Sequence, residues 1–208
     1  MVSATKDAAS VWSVGDTKDL LVDSETLTVE IIGFNHDDLT DGSGKAGITF
    51  ATKNLMANKH DIGSPSSDNS CYIYSGAYFW LTGTVFNSIE ESAKNVMKAV
   101  DKRTNLGRGN GGLNITSMSI FLLSTVEIDK DSEWWGGANN EGTQYAKFSS
   151  AANRTKKLAN GTGSASDWWT RSCSRSGVGA YDSVTSNGYI KSGENRTYDK
   201  GICFGFCV

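Results

Sequence analysis

Only one proline (Pro65) occurs in 208 residues, against 23 glycines, and no apolar run approaches the ~18 residues of a membrane-spanning helix. Collagen-like, disordered and membrane-spanning classes are thereby excluded, and the composition is that of a soluble protein. Cysteine is also sparse: Cys71, Cys173, Cys203 and Cys207 form no CxxC pair, so buried free thiols are expected. The opening MVSATKDAASVWSVG lacks the basic-then-apolar pattern of a secretion signal. The Asn-x-Thr sequons at Asn114, Asn153, Asn160 and Asn195 are therefore discounted. Charge of one sign is missing too. Twenty Lys and Arg against 23 Asp and Glu leave −3, with no basic stripe for phosphate, so nucleic acid is a poor partner. Histidine is limited to His36 and His60, and no Ser-His-Asp, HExxH or phosphate-loop signature accompanies them.

What is present is aromatic. Six Trp, seven Tyr and eight Phe offset a hydrophobic share of only 38%, so a few large side chains supply much of the core. A chain of this length hides about 70% of the surface its unfolded form exposes and needs neither disulfides nor a metal to fold. One domain over 1–208 is expected, with a poorly ordered lead-in over 1–10.

Val11–Asp16 and Leu27–Phe34 read as strands in a hairpin-rich first third. The turn-rich stretch between Phe34 and Ile48 contains Asp37, Asp38 and Asp41, but lacks EF-hand spacing and a closing glutamate, and reads as a solvated loop. Phe86, Ile89, Ala93, Val96, Met97 and Val100 fall at steps of three and four, predicting a helix whose start Ser88 and Glu91 would box. Ile120–Ile128, apolar on both faces, predicts a central strand. Asp167–Ser172 and Gly201–Val208 predict two more. In the last, Ile202, Phe204, Phe206 and Val208 share one face and Cys203, Gly205 and Cys207 the other, with neither suited to water. Trp134-Trp135-Gly136-Gly137 reads as a core cap at a turn, with stacking on a sugar as the alternative.

Between those last strands no hydrophobic periodicity runs. Ser174, Arg175, Ser176, Val178, Ala180, Tyr181, Asp182, Tyr189, Lys191, Ser192, Glu194, Asn195, Arg196, Tyr198 and Asp199 lie there. Tyrosine offers large contact area at low entropic cost, while Ser, Gly and Asn adapt their hydrogen bonds, as in immune and engineered paratopes. A display surface on a rigid frame is one reading; an ordinary polar hairpin is the other.

Trp12-Ser13-Val14-Gly15-Asp16, Ile31-Ile32-Gly33-Phe34-Asn35-His36-Asp37-Asp38, Phe121-Leu122-Leu123-Ser124 with Glu127, Glu141-Gly142-Thr143-Gln144-Tyr145, Trp168-Trp169-Thr170-Arg171-Ser172 and the Gly201 strand occur in that order. Together they resemble a bacterial and phage family with a C-type-lectin-like fold, which includes variable proteins diversified by retroelements. The resemblance implies an α+β fold of short antiparallel strands, one or two helices and long irregular loops. It implies a receptor-recognition module, not an enzyme, with ligand contacts within 167–208 and no cofactor or metal. Its partner would be a protein or glycan receptor on a bacterial cell, and its location a phage tail or bacterial surface. Trp168 and Trp169 would be scaffold, with Val184, Gly188 and Ile190. Arg171 would pair with Glu127 beneath the display surface, because a buried guanidinium needs a carboxylate. Alanine at Tyr181 and Tyr198 would abolish binding without unfolding. The last strand departs from the Gly-Val-Arg-Pro-like ending of many members, and the Glu-Pro-Asn, Gln-Pro-Asp and Trp-Asn-Asp marks of calcium-dependent sugar binding are missing. Two alternatives remain: a copper oxidase resembling the formylglycine-generating enzyme, using Cys203 and Cys207, or a structural virion subunit.

Overall fold

A computed structural model describes residues 8–63, 71–107, 112–132, 140–159, 163–174 and 179–208. The fold is mixed α and β, built mostly from short antiparallel strands with a few short helices. The chain opens with a helical turn, α1 (Ala8–Val11), where the lead-in and the first predicted strand were expected. A hairpin of β1 (Thr17–Val22) and β2 (Glu25–Phe34) follows, then β3 (Ile48–Thr52). Leu27 and Val29 alternate into one core and Ile31 is buried beyond them, while Ile32, at a bulge between Ile31 and Gly33, enters the other core.

Helical structure begins before the predicted span, with α2 (Gly76–Phe79) and a π-helical stretch Trp80–Val85. Within 86–100 only α3 (Phe86–Ser88) and α4 (Glu91–Lys94) are helical, with Ile89 extended between them. Ser88 does not cap: its hydroxyl donates back to the Thr84 carbonyl at 2.8 Å, and Ile89 bridges Val22 of β1. Val100 belongs instead to β4 (Val100–Asn105), which pairs with β5 (Leu113–Met118).

The predicted central strand is cut short in the same way. Only Phe121–Leu122 is a strand, β6; Ser124 then accepts from the Glu127 amide and Glu127 from the Ser124 amide, opening α5 (Thr125–Ile128) with a full capping box. After α6 (Ala151–Arg154) come β7 (Trp168–Cys173), β8 (Ala180–Val184), β9 (Ile190–Asn195) and β10 (Phe204–Cys207).

Strand order is β1-β2-β3-β10-β6 in the main sheet, β4-β5 in a ribbon, and β7-β8-β9 in a second sheet. Both faces of the last segment are buried. Ile202, Phe204 and Phe206 enter one core with Leu27, Val29, Tyr72 and Trp169; Cys203 and Cys207 enter the other with Ile32, Phe121, Tyr145 and Trp168. None of the four cysteines is in a disulfide, and all are buried. Among the described residues no helix is long and apolar enough to cross a membrane.

Gly188 turns β8 into β9 with φ +81°, and a Cβ there would lie 2.0 Å from the Ala151 carbonyl oxygen. Gly188→Ala therefore combines a left-handed backbone with a backbone clash. It should lower stability by about 2 kcal/mol, read as an earlier urea midpoint.

Candidate functional site

The second sheet decides which expected contact residues reach solvent. β8 is its central strand, hydrogen-bonded on one side to β7 and on the other to β9. Its middle has no open face. Tyr181, opposite Cys173, is fully buried in the first core, which corrects its expected role as a contact residue. Truncating Tyr181 would open a hole in that core, so it cannot be tested as a surface residue.

Asp182 and Ser174 are also interior. Ser174 Oγ lies 2.9 Å from Ser192 Oγ, and Asp182 accepts from the Gly193 amide at 3.4 Å. Burial, opposed by hydroxyls of Ser192 and Ser174 and by the Gly193 amide, pushes the Asp182 carboxyl up to about 6. Ser174, Asp182 and half-buried Ser192 thus tie the sheet together instead of facing a partner. Ala180 is half-buried. Arg175, Ser176 and Val178 lie outside the described residues, as do Trp134, Trp135 and Pro65.

The edge strand β9 and the turns before and after it behave otherwise. Tyr189 is 63% and Tyr198 55% exposed, and Lys191, Asn195 and Asp199 are exposed as well. Asn195 shapes the turn, its side-chain oxygen accepting from the Thr197 amide at 3.1 Å. Arg196 is half-buried and lies over Gly179, where a Cβ would come within 2.9 Å of its guanidinium. Glu194 is buried between two amines, Lys191 at 2.7 Å and Lys200 at 3.0 Å, which hold its carboxyl below the usual range despite the opposing effect of burial. Lys200 also reaches Asp167 at 3.2 Å and sits 5.3 Å from the Trp169 ring centre. Beside Tyr198 and Asp199 a cleft of about 300 Å³ opens.

The frame beneath is charged. Arg171 of β7, with no exposed surface, grips Glu127 with both terminal nitrogens at 2.5 and 3.0 Å. It also donates to the carbonyls of Leu122, Arg103 and Glu141. Lys102 bridges Glu127 at 2.6 Å and Asp37 at 2.7 Å, and its amine lies 4.0 Å above the Phe121 ring. Asp37 also accepts from Thr49 and Tyr145. Burial works against both carboxylates, yet Lys102 holds Asp37 well below its usual range, and Arg171 with Lys102 lowers Glu127. Asp37 is thus interior, a correction to the solvated-loop reading, whereas Asp38 and Asp41 stay exposed.

Glu141 completes the cluster, accepting from the Asn105 amide at 2.7 Å and the Ser172 hydroxyl at 2.5 Å. A second cleft, of about 320 Å³, overlies this network and is lined by His36, Lys45, Arg103 and Thr143 among others. His36 stacks on Tyr145 at 3.9 Å, and burial lowers its pKa.

Sequence reasoning paired Arg171 with Glu127 but missed Asp37, Lys102, Glu141 and Tyr145 as members of one network. The missed residues are brought together across long sequence separations.

Cation chemistry has little room in these groups. The Asp37 oxygens are taken by Lys102, Thr49 and Tyr145, and Asp38 by Lys45. Cys203 and Cys207 stand four residues apart on extended chain, roughly 13 Å, too far to share one metal ion. Burial raises both thiol pKa values, so they stay protonated at neutral pH.

A family model described as a domain of unknown function (DUF6273) matches residues 46–208, a span that holds the exposed face, Lys102, Glu127, Glu141 and Arg171 but not Asp37. No curated protein and no solved structure matches the chain.

Proposed function

We propose that this chain, which belongs to the DUF6273 family, is a ligand-binding module of C-type-lectin-like fold that uses the β9 edge and the turns before and after it as its contact face. The observation that carries the reading is the exposure of Tyr189 and Tyr198 in the turns before and after the edge strand β9, with Tyr198 beside a cleft, on a frame pinned by buried ion pairs. Large aromatic side chains held in water without packing partners are what a recognition surface supplies. The rigid sheet bears the cost of ordering and leaves the edge residues open to change.

Its partner is a receptor on a bacterial cell, protein or glycan, and its place a phage tail or bacterial surface. Tyr189, Lys191, Asn195, Arg196, Tyr198 and Asp199 are the contact residues in this reading. Arg171, Glu127, Trp168 and Trp169 hold the frame. The composition of the edge also suits diversification by a retroelement. A near-copy of the encoding DNA, differing only at adenines and lying near a reverse transcriptase gene, is the genomic sign expected.

The test is binding of the labelled protein to a panel of bacterial cells. Tyr189→Ala and Tyr198→Ala should each weaken attachment at least about tenfold, the usual cost of losing an aromatic anchor. Their thermal midpoints should stay within about 2 °C of the parent, because exposed side chains contribute little to folding. Full attachment by the double variant would refute the contact face.

A further inference from the structure

We infer that the cleft beside Tyr198 is a cation-independent binding site for a neutral saccharide. The inference rests on the contact-face reading above and names the ligand class for that face.

The cleft forms where two segments meet. His60 and Lys200 exchange backbone hydrogen bonds at 2.9 and 3.2 Å, an antiparallel bridge that brings Lys59 and Asp199 to the same cleft. Asp167 and Ser186 make the other wall, the Ser186 amide donating to the Asp167 carboxylate at 2.8 Å. The floor is committed: Lys200 is held between Asp167 and Glu194. The rim is not. Among the described residues, the side chains of Lys59, Tyr198 and Asp199 make no hydrogen bond or ion pair, and all three are exposed.

Three properties of this space select the ligand. Its charges balance, Lys59 and Lys200 against Asp167 and Asp199, so no net field draws an anion or a cation. Its rim charges are solvent-screened, so an ion pair with a zwitterion gains little. A hydroxyl needs no net charge to pair with both rim groups, since it can donate to Asp199 and accept from Lys59. Tyr198 supplies the single aromatic face. An uncharged molecule with many hydroxyls and one apolar C–H face satisfies all three, and at about 300 Å³ the space lies at the lower end of small-molecule sites.

The experiment is a titration of the whole chain by amide chemical-shift perturbation. The probes are methyl glycosides of glucose, galactose, rhamnose and N-acetylglucosamine, with glucuronate, N-acetylneuraminate and glycylglycine for comparison. At least one neutral glycoside should shift amides at Lys59, Ser186 and Asp199 with a millimolar dissociation constant, unchanged by EDTA. Tyr198→Ala should weaken it about tenfold, Tyr198→Phe by less than about threefold, and Lys59→Met by about threefold to tenfold.

Absence of shifts for every neutral glycoside, tighter binding of the acidic sugars or glycylglycine, or equal binding by Tyr198→Ala would each overturn the assignment. The two readings fail separately. Cell attachment that needs Tyr189 and Tyr198, with no response to neutral sugars, overturns the saccharide and leaves the contact face. Sugar shifts at the cleft without attachment to any cell support the site and overturn receptor recognition.

Discussion

Replacing Arg171 by methionine should lower stability by about 3–5 kcal/mol, the usual cost of removing one partner from a buried ion pair. In a chain of this size that moves the thermal midpoint down by roughly 6–20 °C. The loss comes from what remains behind. Glu127 would keep Lys102 at 2.6 Å as its only cation, and the carbonyls of Leu122, Arg103 and Glu141 would lose the guanidinium donors they share. Lysine in place of Arg171 offers a point charge instead of a planar fork, and should recover only part of the loss. Removing Glu127 as well, by Arg171→Met with Glu127→Leu, should also recover part, since an apolar pair leaves no unmatched charge at that position. Calorimetry on the three variants checks the order; a midpoint for Arg171→Met within about 2 °C of the parent would show that the pair carries no stability.

Stability should also fall between about pH 4.5 and 8, and Glu141 is the main cause. Lys102 and Arg171 balance Asp37 and Glu127, so Glu141 is the one carboxyl of the cluster without a cation to itself. Burial pushes it from 4.5 up to about 7, opposed by Arg171, the Ser172 hydroxyl and the Asn105 amide, while Glu127 adds a smaller push upward. A carboxyl whose folded pKa is raised binds its proton more tightly in the native state. Its contribution is therefore complete below 4.5 and lost as pH rises through 7. Linkage converts that displacement into roughly 3 kcal/mol. Asp182, also raised, acts with the same sign, whereas His36, lowered by burial, makes stability rise with pH up to its ordinary value of 6.5 and so opposes them there. Glu141→Gln isolates the first effect, because the other groups titrate in both proteins. Urea unfolding should give similar stabilities at pH 4.5 and a variant more stable by about 3 kcal/mol at pH 8. A difference that does not change with pH would remove Glu141 as the source.

Legibility in the sequence followed the range of the interaction responsible. The strands expected over Asp167–Ser172 and Gly201–Val208 and found at Trp168–Cys173 and Phe204–Cys207 were readable as short runs rich in aromatic and apolar residues, as strands buried on both faces are. Helical spacing over 86–100 misled because sheet pairing outcompeted it: Ile89 bridges Val22, and Lys98 donates to the Cys207 carbonyl at 2.9 Å. The break at Ser124 was legible, since Ser124 and Glu127 spell a capping box, but the apolar run around them read as a continuous strand. Asp37 looked like loop chemistry because its partner, Lys102, lies in a different part of the chain. The exposed face was legible only as composition. Which tyrosines point outward depends on β8 being central and β9 an edge, and no local pattern records that.

The position of β10 bears on how such a chain can be assembled. Phe206 sits opposite Phe50, and Gly205 opposite Phe121, so this strand is the seam between β3 and β6. Synthesis delivers both neighbours long before the seam arrives, and until then each shows an unpaired rim that invites association with other nascent copies. Closure at so great a sequence separation is also slow, so the interval of exposure is set by topology and not by final stability.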